Sequence, residues 1–268
     1  VRKQIFEFQS SQIEQEFADA VEQHRVEEIY WVGGEPLMYE QHWRYMSRII
    51  ELGDGPRVYA RYNSNLSRIV DGQTHVHLFR DILSNLRDWQ MCASLDGTGD
   101  IGEYIRTGLK YPEWLANFKE GLKYARNPRN MRIDFTLTLP GMFEVNRIQE
   151  LADELGVQIL AKVMFAFSPD IVMSPLALPR RLLDPWVKEI TAQLPVGALR
   201  DVMENLLNRP TFEEQWPMEY QAGLVKGRAR IERLESIRTA RTNMTQILST
   251  RPAILEWWNQ IENTSSTS

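Results

Sequence analysis

Between Val26 and about Ser168, short apolar, β-branched or aromatic runs alternate with segments of helical periodicity, and turn residues separate the two. The runs Ile29 to Val32, Val58 to Tyr62, Trp89 to Leu95, Met131 to Leu137 and Val157 to Phe165 predict strands. The intervening pattern predicts helices over about 40–52, 77–88, 112–126 and 144–155. Another, over about 11–24, precedes the first strand, with Ser10 or Ser11 as its cap. Strands alternating with helices of this length predict an α/β domain with right-handed crossovers and a parallel sheet. An open doubly wound sheet and a closed or partly closed barrel both satisfy the pattern, and both place ligands at the C-terminal ends of the strands.

Past Ser168 the period of two disappears. Pro169, Pro175 and Pro179 punctuate a loop, and helices are then predicted over 180–194, 198–208, 224–248 and 253–261. The expected organisation is a strand–helix core over 1–170 and a helical extension over 171–268, ending in a polar tail, Asn263 to Ser268, expected to be loose.

Composition narrows the classes. With 268 residues, 43% of them hydrophobic, the chain can bury a sizeable core. Its one cysteine, Cys92, allows no internal disulfide, and no basic, apolar leader opens it, so a cytoplasmic location is expected. No run approaches the roughly 18 apolar residues of a membrane-spanning helix, and a net charge of −5 argues against a general nucleic-acid binder. Small molecules, or a peptide or protein, are the expected partners. The chain starts at Val1 and reads as a piece of something longer.

The densest chemistry follows the first strand, in Gly33-Gly34-Glu35-Pro36-Leu37. Adjacent glycines at a strand end remove both side chains where backbone can approach a ligand, although an ordinary strand-to-helix turn would read the same way. Asn63-Ser64-Asn65 follows the second strand, Ser94-Leu95-Asp96-Gly97 the third, and Thr136 and Thr138 the fourth. Each alone is common turn or cap chemistry. Together they lie at the strand ends that converge in an α/β fold, so one polar pocket is expected there.

In order and spacing, Gly33-Gly34-Glu35-Pro36-Leu37, Asn63-Ser64-Asn65, Ser94-Leu95-Asp96-Gly97 and Tyr104-Ile105-Arg106 resemble the core of radical S-adenosylmethionine (radical SAM) enzymes, closest to the branch with SPASM or twitch extensions. The resemblance covers about residues 26–168. It implies a partial (β/α)6 TIM-like barrel of parallel strands, here lacking its first strand, followed by the helical extension. It also implies S-adenosylmethionine as cofactor, held by Gly33, Gly34, Glu35, Pro36, Asn63, Asn65, Ser94, Asp96 and Arg106. The glycine turn and Glu35 would take the cofactor's amino group, Asn65, Ser94 and Asp96 its ribose and carboxylate, and Arg106 its carboxylate.

The family's chemistry is reductive cleavage of the cofactor to a 5′-deoxyadenosyl radical that abstracts hydrogen from a substrate, here a peptide or protein. It needs a [4Fe–4S] cluster held by a Cys-x3-Cys-x2-Cys loop, which this chain does not contain. The cluster ligands and first strand are therefore expected upstream of Val1, and the 268 residues are expected to be inactive by themselves. Two other readings stay open: a hydrolase or isomerase using Glu35, Asp96 and Asp134 as acid and base, and a cluster-free ligand-binding or interaction module.

Other signals are weaker. His24, His42, His75 and His77 invite a metal reading, but no carboxylate or cysteine pattern completes it, and His75 and His77 suit a solvated cap. Lys226, Arg228, Arg230, Arg233, Arg238 and Arg241 interleave with Glu232 and Glu235, as on an ion-paired helix face. Trp257 and Trp258 are expected to dock the last helix.

Overall fold

The structure, a computed structural model, describes residues 12–261. The expected caps Ser10 and Ser11 and the tail from Asn263 lie outside the described residues. In chain order the elements are α1 (Glu14–Glu22), β1 (Glu28–Trp31), α2 (Glu40–Glu51), β2 (Tyr59–Ser64), β3 (Asp88–Ser94), α3 (Gly99–Ile105), α4 (Tyr111–Leu122), β4 (Met131–Leu137), α5 (Val145–Leu155) and β5 (Gln158–Val163). Helices alone follow: α6 (Arg180–Thr191), α7 (Ala198–Leu207), α8 (Phe212–Gln215), α9 (Tyr220–Ile237), α10 (Met244–Leu248) and α11 (Pro252–Gln260). The fold is α/β, and its five strands form one all-parallel sheet in the order β1-β2-β3-β4-β5.

The chain divides into two compact units: one runs to Ala93 and includes Glu113–Arg132, and the other comprises Ser94–Pro112 and the chain from Ile133. In the first unit, pairing of Tyr30 with Arg61 and of Arg61 with Gln90 sets the register of β1, β2 and β3. The alternating side chains Ala60, Tyr62, Trp89, Met91 and Ala93 are 0–1% exposed. Side chains alternate between the faces of a strand, so this register places all the apolar positions on one side. α2 supplies part of the cover. Trp43, Met46 and Ile49 are buried on it at i, i+3 and i+6, and Trp31 of β1 donates its indole N–H to Met46 Sδ at 3.2 Å.

Two helix expectations change, and two helices are new. Residues 77–88 form a π-helical turn, Leu78–Ile82, and a 3₁₀ turn, Leu83–Asn85, rather than an α-helix. Leu78, Phe79, Ile82 and Leu83 are all fully buried there, and a widened turn brings both apolar pairs inward. The helix expected over 224–248 breaks after Ile237, and Asn243 and Gln246 form a capping box that starts α10. α3 and α8 were not anticipated. His75 lies at φ +59°, and His77 Nδ1 accepts the Arg80 N–H as the cap of the π-helical turn.

In the second unit Trp257 and Trp258 are 6% and 1% exposed, and Arg228 of α9 lies over the Trp258 ring and donates to the carbonyls of Trp258 and Ile261. Arg228 also pairs with Glu232 at 2.8 Å, as the interleaved charges suggest. Among the described residues no helix is long and apolar enough to cross a membrane.

His42 of α2 is fully buried, edge-on to Trp31, Trp43 and Tyr62, with Nε2 3.1 Å from the Tyr62 hydroxyl. Burial lowers its pKa to about 3, against a small opposing pull from Asp71. The folded chain therefore keeps the ring neutral while the unfolded chain protonates it near pH 6.5. Between about pH 6.5 and pH 3 this site removes stability as the pH falls, by up to about 1.4 kcal/mol per pH unit. Urea unfolding across that range will show a shallower loss for His42→Phe than for the wild type; equal slopes would mean that the buried imidazole is not the titrating group.

Candidate functional site

The turn after β1 is built by its own residues. Gly33 sits at φ +129°, a conformation that disfavours any other residue, and a Cβ on Gly34 would meet the Tyr39 hydroxyl at 3.0 Å. Pro36 opens a 3₁₀ turn, Pro36–Met38, and the Glu35 side chain caps it by accepting the Leu37 N–H at 3.3 Å. The same carboxylate accepts from Ser64 Oγ at 2.6 Å and from the Asn65 N–H at 2.5 Å. Ser64 Oγ in turn accepts the Leu66 N–H at 2.9 Å. Glu35 thus ties the turn after β1 to the end of β2. Three donors leave an ionised carboxylate with room for one more, an ammonium among them. Asn63 lies half-buried on β2, in register with Cys92 of β3, on the face opposite Tyr62.

In the second unit, Ser94 ends β3 half-buried, and Asp96 follows it at 5% exposure. Asp96 Oδ1 accepts the Thr136 N–H at 2.8 Å, and Oδ2 lies 2.8 Å from Arg106 Nε. Two residues expected to hold different parts of a ligand are here directed at each other. Burial pushes the Asp96 carboxyl above its ordinary range, although Arg106 and the Thr136 amide pull it down. The Gly97-Thr98 turn is held from below by Glu144, which accepts both the Thr98 N–H at 2.7 Å and its hydroxyl at 2.6 Å. A Cβ on Gly102 would lie 2.0 Å from the Gly97 carbonyl oxygen, so α3 packs directly on the turn's backbone.

A cavity of about 280 Å³ opens in this unit beside Asp96. Thr136 and Thr138 from β4 and its end, Met164 after β5, Met173, and Ile231, Leu234, Glu235 and Arg238 from α9 and its end line it, with Tyr104 and Ile105 of α3. The Tyr104 hydroxyl donates to Glu235 at 2.6 Å, and Glu235 also accepts the Met244 N–H at 2.7 Å. Burial raises the Tyr104 pKa, and the Glu235 carboxylate raises it further. Arg238 donates to the Tyr104 carbonyl at 3.4 Å.

The expected site residues therefore form two constellations, Gly33 to Pro36 with Asn65 in one unit and Asp96 with Arg106 in the other. The quoted motifs did not point to Glu144, Glu235, Met164 or Met173. Glu235 read as one of several interleaved helix charges, and Glu144 as a helix start. Their roles come from contacts 46 and 131 residues distant in sequence, which no local pattern encodes.

Neither acid cluster extends to a metal. Among the described residues no group of three or more His, Cys, Asp or Glu is placed to hold a metal ion, and Cys92 is buried on β3 at 7% exposure. The 268 residues, with one cysteine, do not fit an iron–sulfur cluster.

Replacing Glu35 with Ala removes the acceptor for the Asn65 N–H and for Ser64 Oγ, a loss of about 1–3 kcal/mol. Equilibrium urea unfolding checks this, and an Ala variant as stable as the wild type would show that the carboxylate does not hold the two strand ends.

No protein-family model, no curated protein and no solved structure matches the chain, so a family assignment stands on the motif resemblance alone.

Proposed function

We propose that the chain binds S-adenosylmethionine on a partial barrel of the radical SAM type, with the cofactor's nucleoside seated beside Asp96. The observation that carries this reading is that a residue of the Ser-Leu-Asp-Gly motif lines a cavity of about 280 Å³ at the C-terminal ends of parallel strands. Ligands in parallel α/β folds bind at those ends. The lining suits a nucleoside: a buried carboxylate to accept from vicinal hydroxyls, threonine hydroxyls from Thr136 and Thr138, and soft apolar walls from Met164, Met173 and Ile231 for a flat base. Arg106 forms an ion pair with Asp96, its Nε 2.8 Å from Oδ2.

Bound S-adenosylmethionine supplies carbon activated by a sulfonium. The chain's own part is to accept the ribose hydroxyls at Asp96 and to keep water from the nucleoside with the α9 side chains. The single buried cysteine does not fit the cluster that radical generation requires. A cofactor-binding role is the reading that the residues present support.

The hydrolase or isomerase reading has less support. Glu35 already accepts three hydrogen bonds, and both Asp134 oxygens lie 2.9 Å from Lys162 Nζ, so neither is poised as a general base.

Isothermal titration of the chain with S-adenosylmethionine tests the proposal. Saturable binding is expected, weakened about tenfold or more in Asp96→Asn, where a charged acceptor is lost. Leu234→Trp, which narrows the cavity while leaving the Asp96–Arg106 pair in place, weakens it as well. No heat at millimolar ligand, or full binding by both variants, would remove the nucleoside site.

A further inference from the structure

The register of β1 to β3 also produces a second face, on which Gln90 and Cys92 are buried while Tyr30 and Arg61 stay exposed. Glu28, Tyr59 and Asp88 form one row across the three strands, Tyr30, Arg61 and Gln90 the next, and Asn63 and Cys92 a third, all on the side away from Ala60, Tyr62 and Trp89. Parallel strands are normally covered on both faces and read as continuous apolar runs. These alternate instead. Tyr30 is 47% exposed and Val32 57%, and Arg61 is exposed on the same face.

Two guanidinium groups of this unit come together at one residue of this face, Gln90. Arg44, Arg48, Arg57 and Arg80 each hold a carboxylate. Arg61 pairs with none among the described residues; its guanidinium lies over the Tyr30 ring, 5.0 Å from the centroid. Arg132, in the same unit, meets the Gln90 side-chain oxygen at 3.1 and 3.3 Å once that amide is oriented to accept. Gln90 is also the register partner of Arg61, so both cations flank one residue. The acids nearest in the register, Glu28 and Asp88, sit one row below. Asp88 is held by the side-chain amides of Asn127 and Asn130 at 3.3 and 2.8 Å and by the Trp89 N–H.

We propose that this face binds the oxyanion of a small ligand, a carboxylate or phosphate group, at Arg61 and Arg132 over Gln90. A guanidinium presents a planar fork that matches either group, and a cation stacked on an aromatic ring is already oriented to use it. Tyr30 is the positioning residue for Arg61. Every residue invoked belongs to the first unit, and the inference does not depend on the nucleoside site proposed above.

Titrating the full chain with inorganic phosphate and, separately, with succinate while following the arginine Nε–Hε NMR resonances tests it. Saturable shifts at Arg61 and Arg132 are expected, together with a change in the rate at which Cys92, on the same face, reacts with a thiol reagent. Arg61→Gln, at an exposed position that the fold tolerates, weakens binding by about tenfold or more. Arg80→Gln, which disrupts an ion pair elsewhere in the unit, leaves it unchanged. Saturation by phosphate alone identifies a phosphate-bearing ligand, by succinate alone a carboxylate-bearing one, and by both a general oxyanion site. If neither saturates, or Arg61→Gln binds both as the wild type does, the proposal is overturned.

Discussion

The burial of one apolar face of the parallel sheet is the constraint on which the remaining geometry depends. Ala60, Tyr62, Trp89, Met91 and Ala93 are driven inward because each square ångström of apolar surface removed from water is worth about 25 cal/mol. A slip of one residue in β2 or β3 would turn that whole set outward and bring Arg61, Asn63 and Gln90 in, so the register is tightly held. Register in turn decides which residues stand at the strand ends and which line the opposite face. The candidate chemistry is a consequence of where the apolar residues have to go.

Strand ends positioned in this way still need their turns fixed, and carboxylates do much of that work. Glu35 gathers the Leu37 and Asn65 amides and the Ser64 hydroxyl; Glu144 gathers the amide and hydroxyl of Thr98; Asp96 takes the Thr136 amide and faces Arg106. Acids suit this role because an ionised carboxylate accepts several hydrogen bonds and makes charge-assisted ones to backbone N–H groups. Asp96 shows the cost. Its burial favours the neutral form even with a guanidinium beside it, so a charged Asp96 is held at some expense of stability above its ordinary titration range. A ligand hydroxyl donated to that carboxylate would stabilise the charge, which is why a buried, partly satisfied acid beside a cavity is a reasonable binding group.

The strand–helix alternation, all five strands and most helices were legible in the period of the apolar residues, and the observed strands lie within two residues of the expected ones. The misses are local. The 77–88 segment buries Leu78, Phe79, Ile82 and Leu83 in π and 3₁₀ turns, although their spacing suits an α-helix equally, and the Asn243–Gln246 capping box that interrupts the long C-terminal helix was present in the sequence. The Gly33-Gly34-Glu35 turn was legible as a turn at a strand end where backbone is open, although an ordinary strand-to-helix turn would have read the same way. Its hydrogen-bond partners were not.

The sequence by itself determined the fold class, the parallel sheet, the one-cysteine limit on metal chemistry and the strand ends at which polar residues would collect. These follow from short-range periodicity and composition, which are properties of the chain alone. Only the tertiary structure decided that Glu35 holds the end of β2, that Asp96 and Arg106 face each other, and that Glu235 meets Tyr104 beside a cavity. Each of those contacts joins residues from about ten to more than a hundred positions apart, and their partners are selected by packing, not by any pattern within one segment.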